Sequence, residues 1–178
     1  AAFVAAAVRP EIRALTAYAV ARADGLIKLD AMENPYPLPQ AVRERIAAAV
    51  ALVPINRYPD GGADAVKSAL RRAFGIPEAL GLVLGNGSDE LIDLLSVACD
   101  VPGATVLAPL PGFVMYEMSA RLRDLRFVGV PLTTAFELDE SAMLAAIERE
   151  RPALPYIAYP NNPTGNLFDD AVMDRIVT

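Results

Sequence analysis

From residue 63 onward the chain alternates between helical and extended patterning, and that alternation decides its fold class. Asp64–Phe74 reads as a helix and Leu82–Leu84 as a short buried strand. Ser88–Ala98 is a helix whose apolar Leu91, Ile92, Leu94 and Leu95 recur at helical spacing. Thr105–Ala108 reads as a strand, Val114–Leu122 as a helix and Phe127–Leu132 as a strand. Ser141–Glu150 is a helix opened by a capping pattern around Asp139, Tyr156–Tyr159 a strand, and Asp169 starts a last helix. Short apolar strands separated by helices bury both faces only in a parallel sheet covered on both sides. The expected fold is therefore α/β, a three-layer α/β/α arrangement around a mostly parallel sheet.

Residues 1–60 differ in character. Asn34-Pro35-Tyr36-Pro37-Leu38-Pro39 is a stiff loop, because each proline restricts its predecessor to extended conformations. A helix resumes over Gln40–Leu52, and Asn56-Arg57-Tyr58-Pro59-Asp60-Gly61-Gly62 is a strong turn signal. The start, AAFVAAAVRPEIRAL, is small and apolar, with no basic segment before it and no clear cleavage site after it. It reads as an arm or short helix. The first residue is not Met and the last helix has no stop signal, so the expectation is a processed or incomplete chain.

Composition removes several function classes. Hydrophobic residues make up 54% of the 178, ample for a core, yet no apolar run approaches the roughly 20 residues that span a bilayer. The net charge is −6, and the basic residues are scattered, with close pairs such as Arg43/Arg45, Arg71/Arg72 and Arg121/Arg123. A nucleic-acid surface needs a basic stripe. With no His and one Cys, a transition-metal site is improbable and a histidine-dependent triad impossible within the chain. Cys99, in LIDLLSVACD, reads as a buried small apolar residue.

Three strand-end segments carry the chemistry. In Leu84-Gly85-Asn86-Gly87-Ser88-Asp89-Glu90 a strand runs into a glycine pair and a helix begins at Ser88. Unpaired amides and the positive end of a helix dipole suit a phosphate there, with the Ser88 hydroxyl as a further donor. A plain capped turn explains the same residues. No Gly-Lys-Ser/Thr follows, so it is not a Walker loop. Pro109-Leu110-Pro111-Gly112-Phe113-Val114-Met115-Tyr116 follows the next strand, and Phe113 is either a stacking platform for a flat ring or core. Tyr159-Pro160-Asn161-Asn162-Pro163-Thr164-Gly165 is either turn chemistry or an amide donor site. In an open α/β sheet, ligands bind at that edge.

The ordered set of Gly-Asn-Gly-Ser-Asp-Glu, Pro-Gly-Phe-Val-Met-Tyr and Tyr-Pro-Asn-Asn-Pro-Thr-Gly resembles the fold type I aminotransferases, the histidinol-phosphate aminotransferases in particular. Val8-Arg9-Pro10, Leu15-Thr16-Ala17-Tyr18, Leu29-Asp30-Ala31-Met32-Glu33-Asn34-Pro35 and Asn56-Arg57-Tyr58-Pro59-Asp60 extend the resemblance over nearly the whole chain. Ala17 and Met32 depart from the Pro and Asn expected in many relatives.

The resemblance implies pyridoxal 5'-phosphate as cofactor. Gly87, Ser88 and Asp89 would hold its phosphate, Phe113 would stack on its ring, and Asn162 would hydrogen-bond its phenolic oxygen. Tyr58 would reach the cofactor phosphate of a partner subunit, so a homodimer is implied. Tyr18, Glu33 and Asn34 would face the substrate, an amino-acid-like phosphate exchanging its amino group with 2-oxoglutarate in histidine biosynthesis, in the cytoplasm. Residues 1–60 would be an arm and part of a small domain, and 61–178 the first part of the cofactor-binding large domain.

The only lysines are Lys28 and Lys67, and neither follows the strand series where the family's Schiff-base lysine belongs. That lysine is expected after Thr178, so no catalytic residue is assigned within the chain and the piece alone is expected to be inactive. Aromatic-amino-acid aminotransferases, threonine-phosphate decarboxylases and a non-catalytic module binding a phosphorylated ligand are the alternatives.

Overall fold

The computed structural model describes residues 2–16, 22–28 and 33–178. They fall into two compact units, one joining the described residues up to Leu15 with Val83–Thr178, the other lying within Thr16–Leu82. The amino-terminal segment forms two short helices, α1 (Ala2–Ala7) and α2 (Pro10–Ala14), with Pro10 at the first position of the second, where its missing N–H costs nothing.

The smaller unit holds α3 (Gln40–Ala51) and α4 (Asp64–Phe74). Neither buries a residue, and α4 stops at Gly75, whose φ of +64° is open to glycine without strain. The turn expected at 56–62 is present, with Asp60 Oδ1 accepting from the Gly62 amide at 3.1 Å.

The larger unit is the layered one. In chain order it runs α5 (Ser88–Ala98), β1 (Thr105–Leu110), α6 (Val114–Leu122), β2 (Arg126–Pro131), α7 (Glu140–Glu150), β3 (Leu154–Pro155) and α8 (Asp170–Val177). The strands form a parallel sheet in the order β2-β1-β3, with Thr105 opposite Arg126 and Val106 opposite Leu154. Successive residues of the central strand face opposite ways. Val106 packs with Ala120 and Leu125 on one side; Leu107 packs with Val130, Leu138, Met143, Ala146 and Phe168 on the other. Both faces of β1 are thus covered, which is why it reads as an unbroken apolar run. Complete burial of Leu107 and Met143 contributes about 1.5–3 kcal/mol each.

Local chemistry sets the helix ends. Asp139 Oδ1 accepts from the Ala142 amide at 3.0 Å and opens α7, while Asp169 does the same for Val172, also at 3.0 Å, and opens α8. Arg175 grips Glu140 at 2.6 and 2.8 Å and joins these two helices; Arg123 grips Asp93 at 3.2 and 2.6 Å and joins α6 to α5.

The expected α/β fold is present, with three local corrections. Leu82–Leu84 is not a strand: Val83 is 73% exposed, and the segment has no ladder partner among the described residues. Tyr156–Tyr159 is irregular, the strand falling instead at Leu154–Pro155, although the Tyr156 amide still donates to the Leu107 carbonyl at 2.8 Å. Cys99 is half-buried, because it caps the end of α5 rather than facing the core. No helix among the described residues is long and apolar enough to cross a membrane.

Candidate functional site

β1 and β3 run parallel, so the loops that follow them leave the sheet at one edge. α5 passes to β1 through 99–104 and packs against α6, which places its amino terminus toward the edge where that strand ends. The segments carrying Gly87, Phe113 and Asn162 are therefore segments of one edge.

Gly87 is the residue before α5 and has φ +83° and ψ 175°, a region essentially closed to residues with a Cβ. Gly85 is required for another reason: a Cβ there would lie 2.9 Å from Leu91 Cγ. Glu90 turns back to accept the Asn86 amide, so it fixes the loop from inside the helix. No side chain caps the helix start, and the amides of its first turn have no partner within the helix. Ser88 and Asp89 are exposed, with only a long contact of 3.5 Å from the Ser88 hydroxyl to Asp89 Oδ1. The result is an exposed amide cradle with the Ser88 hydroxyl beside it.

Phe113 precedes α6 in an extended conformation and is half-buried. Gly112 lets the chain pass close to itself, since a Cβ there would sit 2.4 Å from the Pro109 carbonyl oxygen. Phe113 meets Tyr116 edge-on, centroids 5.5 Å apart. A cavity of about 240 Å³ opens here, lined by Pro109, Leu110, Gly112, Phe113, Tyr116 and Phe127. Burial pushes the Tyr116 and Tyr156 phenols above their ordinary value, so both stay neutral donors at physiological pH.

In the third loop the two asparagines separate. Asn161 is wholly buried, and its Nδ2 donates to the Pro111 carbonyl at 3.2 Å and to Thr164 Oγ1 at 2.7 Å. Asn162 is half-buried, and its side chain makes no hydrogen bond with the described residues. The loop after β3 is thus fastened to the loop after β1, and Asn162 beside the fastening keeps a free amide. Tyr159 donates to Asp170, which holds the Tyr159 phenol above its usual value.

Of the other expected site residues, Tyr58 is wholly exposed in the smaller unit. Glu33 is exposed and pairs with Lys28 at 3.5 Å. Asn34 Oδ1 accepts from the Tyr36 amide at 3.0 Å, a local turn contact. Tyr18 lies outside the described residues. Sequence reading missed Asn161, Tyr156 and Glu90. Nothing in the string Asn161-Asn162 tells which amide turns inward, and Glu90 reads as a helix charge.

Residues 24–178 match the family described as aminotransferase class I and II. The chain is 62% identical over 96% of its length to a histidinol-phosphate aminotransferase of Methylibium petroleiphilum, covering 46% of that protein. It is 59% identical over 93% of its length to that of Chromobacterium violaceum, covering 47% of it. Among solved structures, the histidinol-phosphate aminotransferase of Sinorhizobium meliloti in complex with pyridoxal-5'-phosphate superposes with a TM-score of 0.70 at 26% identity, over 86% of this chain and 42% of that one. The chain spans about half the length of the curated relatives it matches. A family match over most of the chain, on a parallel sheet with three loops at one edge, makes this chain a member of the class I and II aminotransferases.

Proposed function

We propose that this chain is the first half of a pyridoxal-phosphate-dependent transaminase that moves an amino group between L-histidinol phosphate and 2-oxoglutarate in histidine biosynthesis. The observation that carries the reading is the half-buried Asn162 side chain, which makes no hydrogen bond with the described residues, in a loop fastened to the one bearing Phe113. The names of the relatives support histidinol phosphate as the substrate.

The residues present suit the cofactor. The amides of Gly87, Ser88 and Asp89 and the Ser88 hydroxyl are donors for a phosphate at a helix amino terminus, and the Gly87 backbone leaves room where no Cβ intrudes. Phe113 offers a ring face to a flat heterocycle. Asn162 donates to a phenolic oxygen and favours its ionised form. The cofactor, when bound, serves as an electron sink for the bond broken at the amino carbon. On this reading Tyr18, Glu33 and Asn34 would face the substrate, as the family resemblance implies, and Tyr58 would serve a partner subunit in a cytoplasmic homodimer. The reading further requires a Schiff-base lysine, an aspartate for the ring nitrogen and an arginine for the substrate carboxylate, in the part of the relatives' length that this chain does not span.

The test uses the full-length protein with added pyridoxal phosphate. A visible absorbance band lost on borohydride reduction, with the label recovered in a peptide beyond Thr178, supports the reading. Rates with histidinol phosphate, phenylalanine and threonine phosphate then rank the amino donors. Absence of any cofactor band overturns it.

A further inference from the structure

We propose that Asn161 is a positioning residue that holds Asn162 in register with Phe113, an inference that rests on the cofactor reading above. Asn161 is 0% exposed. Its two donors reach the Pro111 carbonyl, two residues before Phe113, and the Thr164 hydroxyl within its own loop. The Thr164 hydroxyl in turn donates to Asn166 Oδ1, and Asn166 Nδ2 donates to the Phe136 carbonyl at 3.0 Å. One directed run of donors therefore ties the turn after β2, the loop after β3 and the loop after β1.

The backbone closes the same loop at its base, where the Asn161 amide donates to the Asn166 carbonyl at 2.9 Å and the Gly165 amide to the Asn161 carbonyl at 2.8 Å. With both ends held, the remaining freedom of the loop is its displacement against the Phe113 loop, and among the described residues the Asn161 side chain carries the hydrogen bond that spans that gap.

The cost of this arrangement is visible. Asn161 Oδ1 is buried with no hydrogen-bond partner among the described residues. A leucine or methionine fills a buried space without such an orphan. The amide is therefore present for its donors, and those donors act on loop position. Asn161 sits next to Asn162 in the chain, so any displacement of the first shifts the second relative to the Phe113 loop.

The experiment uses the full-length protein with pyridoxal phosphate and the variants Asn161→Asp, Thr164→Val and Thr164→Ser. Asn161→Asp keeps the size and Oδ1 but turns an oxygen on the Pro111 carbonyl; Thr164→Val leaves residue 161 unchanged but removes one of its two acceptors and breaks the run. The expected result is a fall of at least about tenfold in cofactor affinity for Asn161→Asp, with a shifted pH midpoint of the cofactor's visible band and a lower kcat, while KM for the amino donor holds. Thr164→Val shifts the same midpoint in the same direction, and Thr164→Ser restores it. A loss of thermal stability alone, with affinity and midpoint at wild-type values, overturns the proposal. If Asn161→Asp does not fold, Thr164→Val decides: a wild-type midpoint overturns it. A wild-type protein that binds no pyridoxal phosphate overturns the cofactor reading itself, and this inference with it.

Discussion

Tyr116 lies flat on Tyr156, ring centroids 4.5 Å apart and planes at 0°. The pair continues the edge-on contact of Phe113 with Tyr116, so the ring assigned to cofactor stacking is backed by two others. Tyr156 reaches the Ile92 carbonyl of α5 at 3.5 Å, which carries the ladder on to the helix that opens at the glycine cradle.

Tyr116→Ala is expected to cost about 2–4 kcal/mol of stability, the sum of lost apolar contact and two aromatic pairings. Urea denaturation of the full-length protein measures it. Both phenols are held above their ordinary value of 10.0 by burial, so the folded state keeps its protons more tightly than the unfolded chain. That contribution is complete below pH 10 and disappears as pH rises through the higher folded values. Tyr116→Phe and Tyr156→Phe should accordingly flatten the alkaline loss of stability, and an unchanged alkaline limb in both would refute the burial argument.

Helices were legible in the sequence nearly to the residue: Ser88–Ala98, Val114–Leu122 and Asp64–Phe74 have the bounds their apolar spacing and flanking glycines predict. Helix signals are local, so a window of sequence contains them. Strands depend on a partner elsewhere in the chain, and Leu82–Leu84 failed for that reason. The three loops were legible because glycine, proline and asparagine mark turns by their own backbone chemistry. What a side chain does within a loop was not. Asn161 and Asn162 are the same residue type side by side, and only the fold turns one inward to Pro111 and leaves the other free.

Gly87→Ala forces a Cβ into φ +83°, at a cost of about 1–3 kcal/mol. No atom lies within 4 Å of that Cβ, so the strain is a backbone effect and the loop relaxes by changing φ. The first-turn amides of α5 then lose their common aim. Affinity for pyridoxal phosphate should drop by about tenfold or more, in line with one to two such units of strain, while affinity for pyridoxal, which has no phosphate, should hold. Equal losses for both compounds would place the defect elsewhere.

Acid stability should depend on the α7–α8 junction. Hydrogen bonds from Arg175 hold the Glu140 carboxyl below its ordinary 4.5, and the Ala142 amide holds Asp139 below its ordinary 3.8. A lowered folded value gives stability that is complete above the unfolded value and lost as pH falls through the folded one. Arg175→Met removes the partner of Glu140 and should flatten the loss of stability below about pH 4.5 while leaving the neutral-pH fold intact. The urea midpoint followed from neutral to acid pH reads this directly; an identical acid slope in the variant would show that the pair is screened by solvent.

Asn162→Ala should raise the pH midpoint of the bound cofactor's visible band by about one to two units, through loss of one charge-assisted hydrogen bond of roughly 1.5–3 kcal/mol. The fold should persist, because the Asn162 side chain makes no hydrogen bond with the described residues. A spectral pH titration checks it. An unmoved midpoint would reduce Asn162 to a turn residue.

Tyr58 tests the proposed dimer. Its ring is wholly exposed, in a turn closed by Arg57 donating its amide to the Pro54 carbonyl at 2.9 Å. The same unit exposes Leu52, Val53 and Ile55. In the proposed twofold dimer one self-complementary patch would build two shared sites, with Tyr58 of each subunit serving the cofactor phosphate of the other. Two inactive full-length variants separate this from a role within one subunit. The first carries Tyr58→Phe with Arg57→Ala, its inactivity shown beforehand on the homodimer; the second lacks the proposed Schiff-base lysine. In a mixed dimer with shared sites, one site combines the first subunit's lysine with the second subunit's Tyr58 and is intact, while the other lacks both. Random mixing makes about half the dimers mixed, each with one working site of two, so about a quarter of wild-type activity returns. If Tyr58 serves its own subunit, the site that keeps its lysine also keeps the Tyr58 defect, and mixing returns nothing.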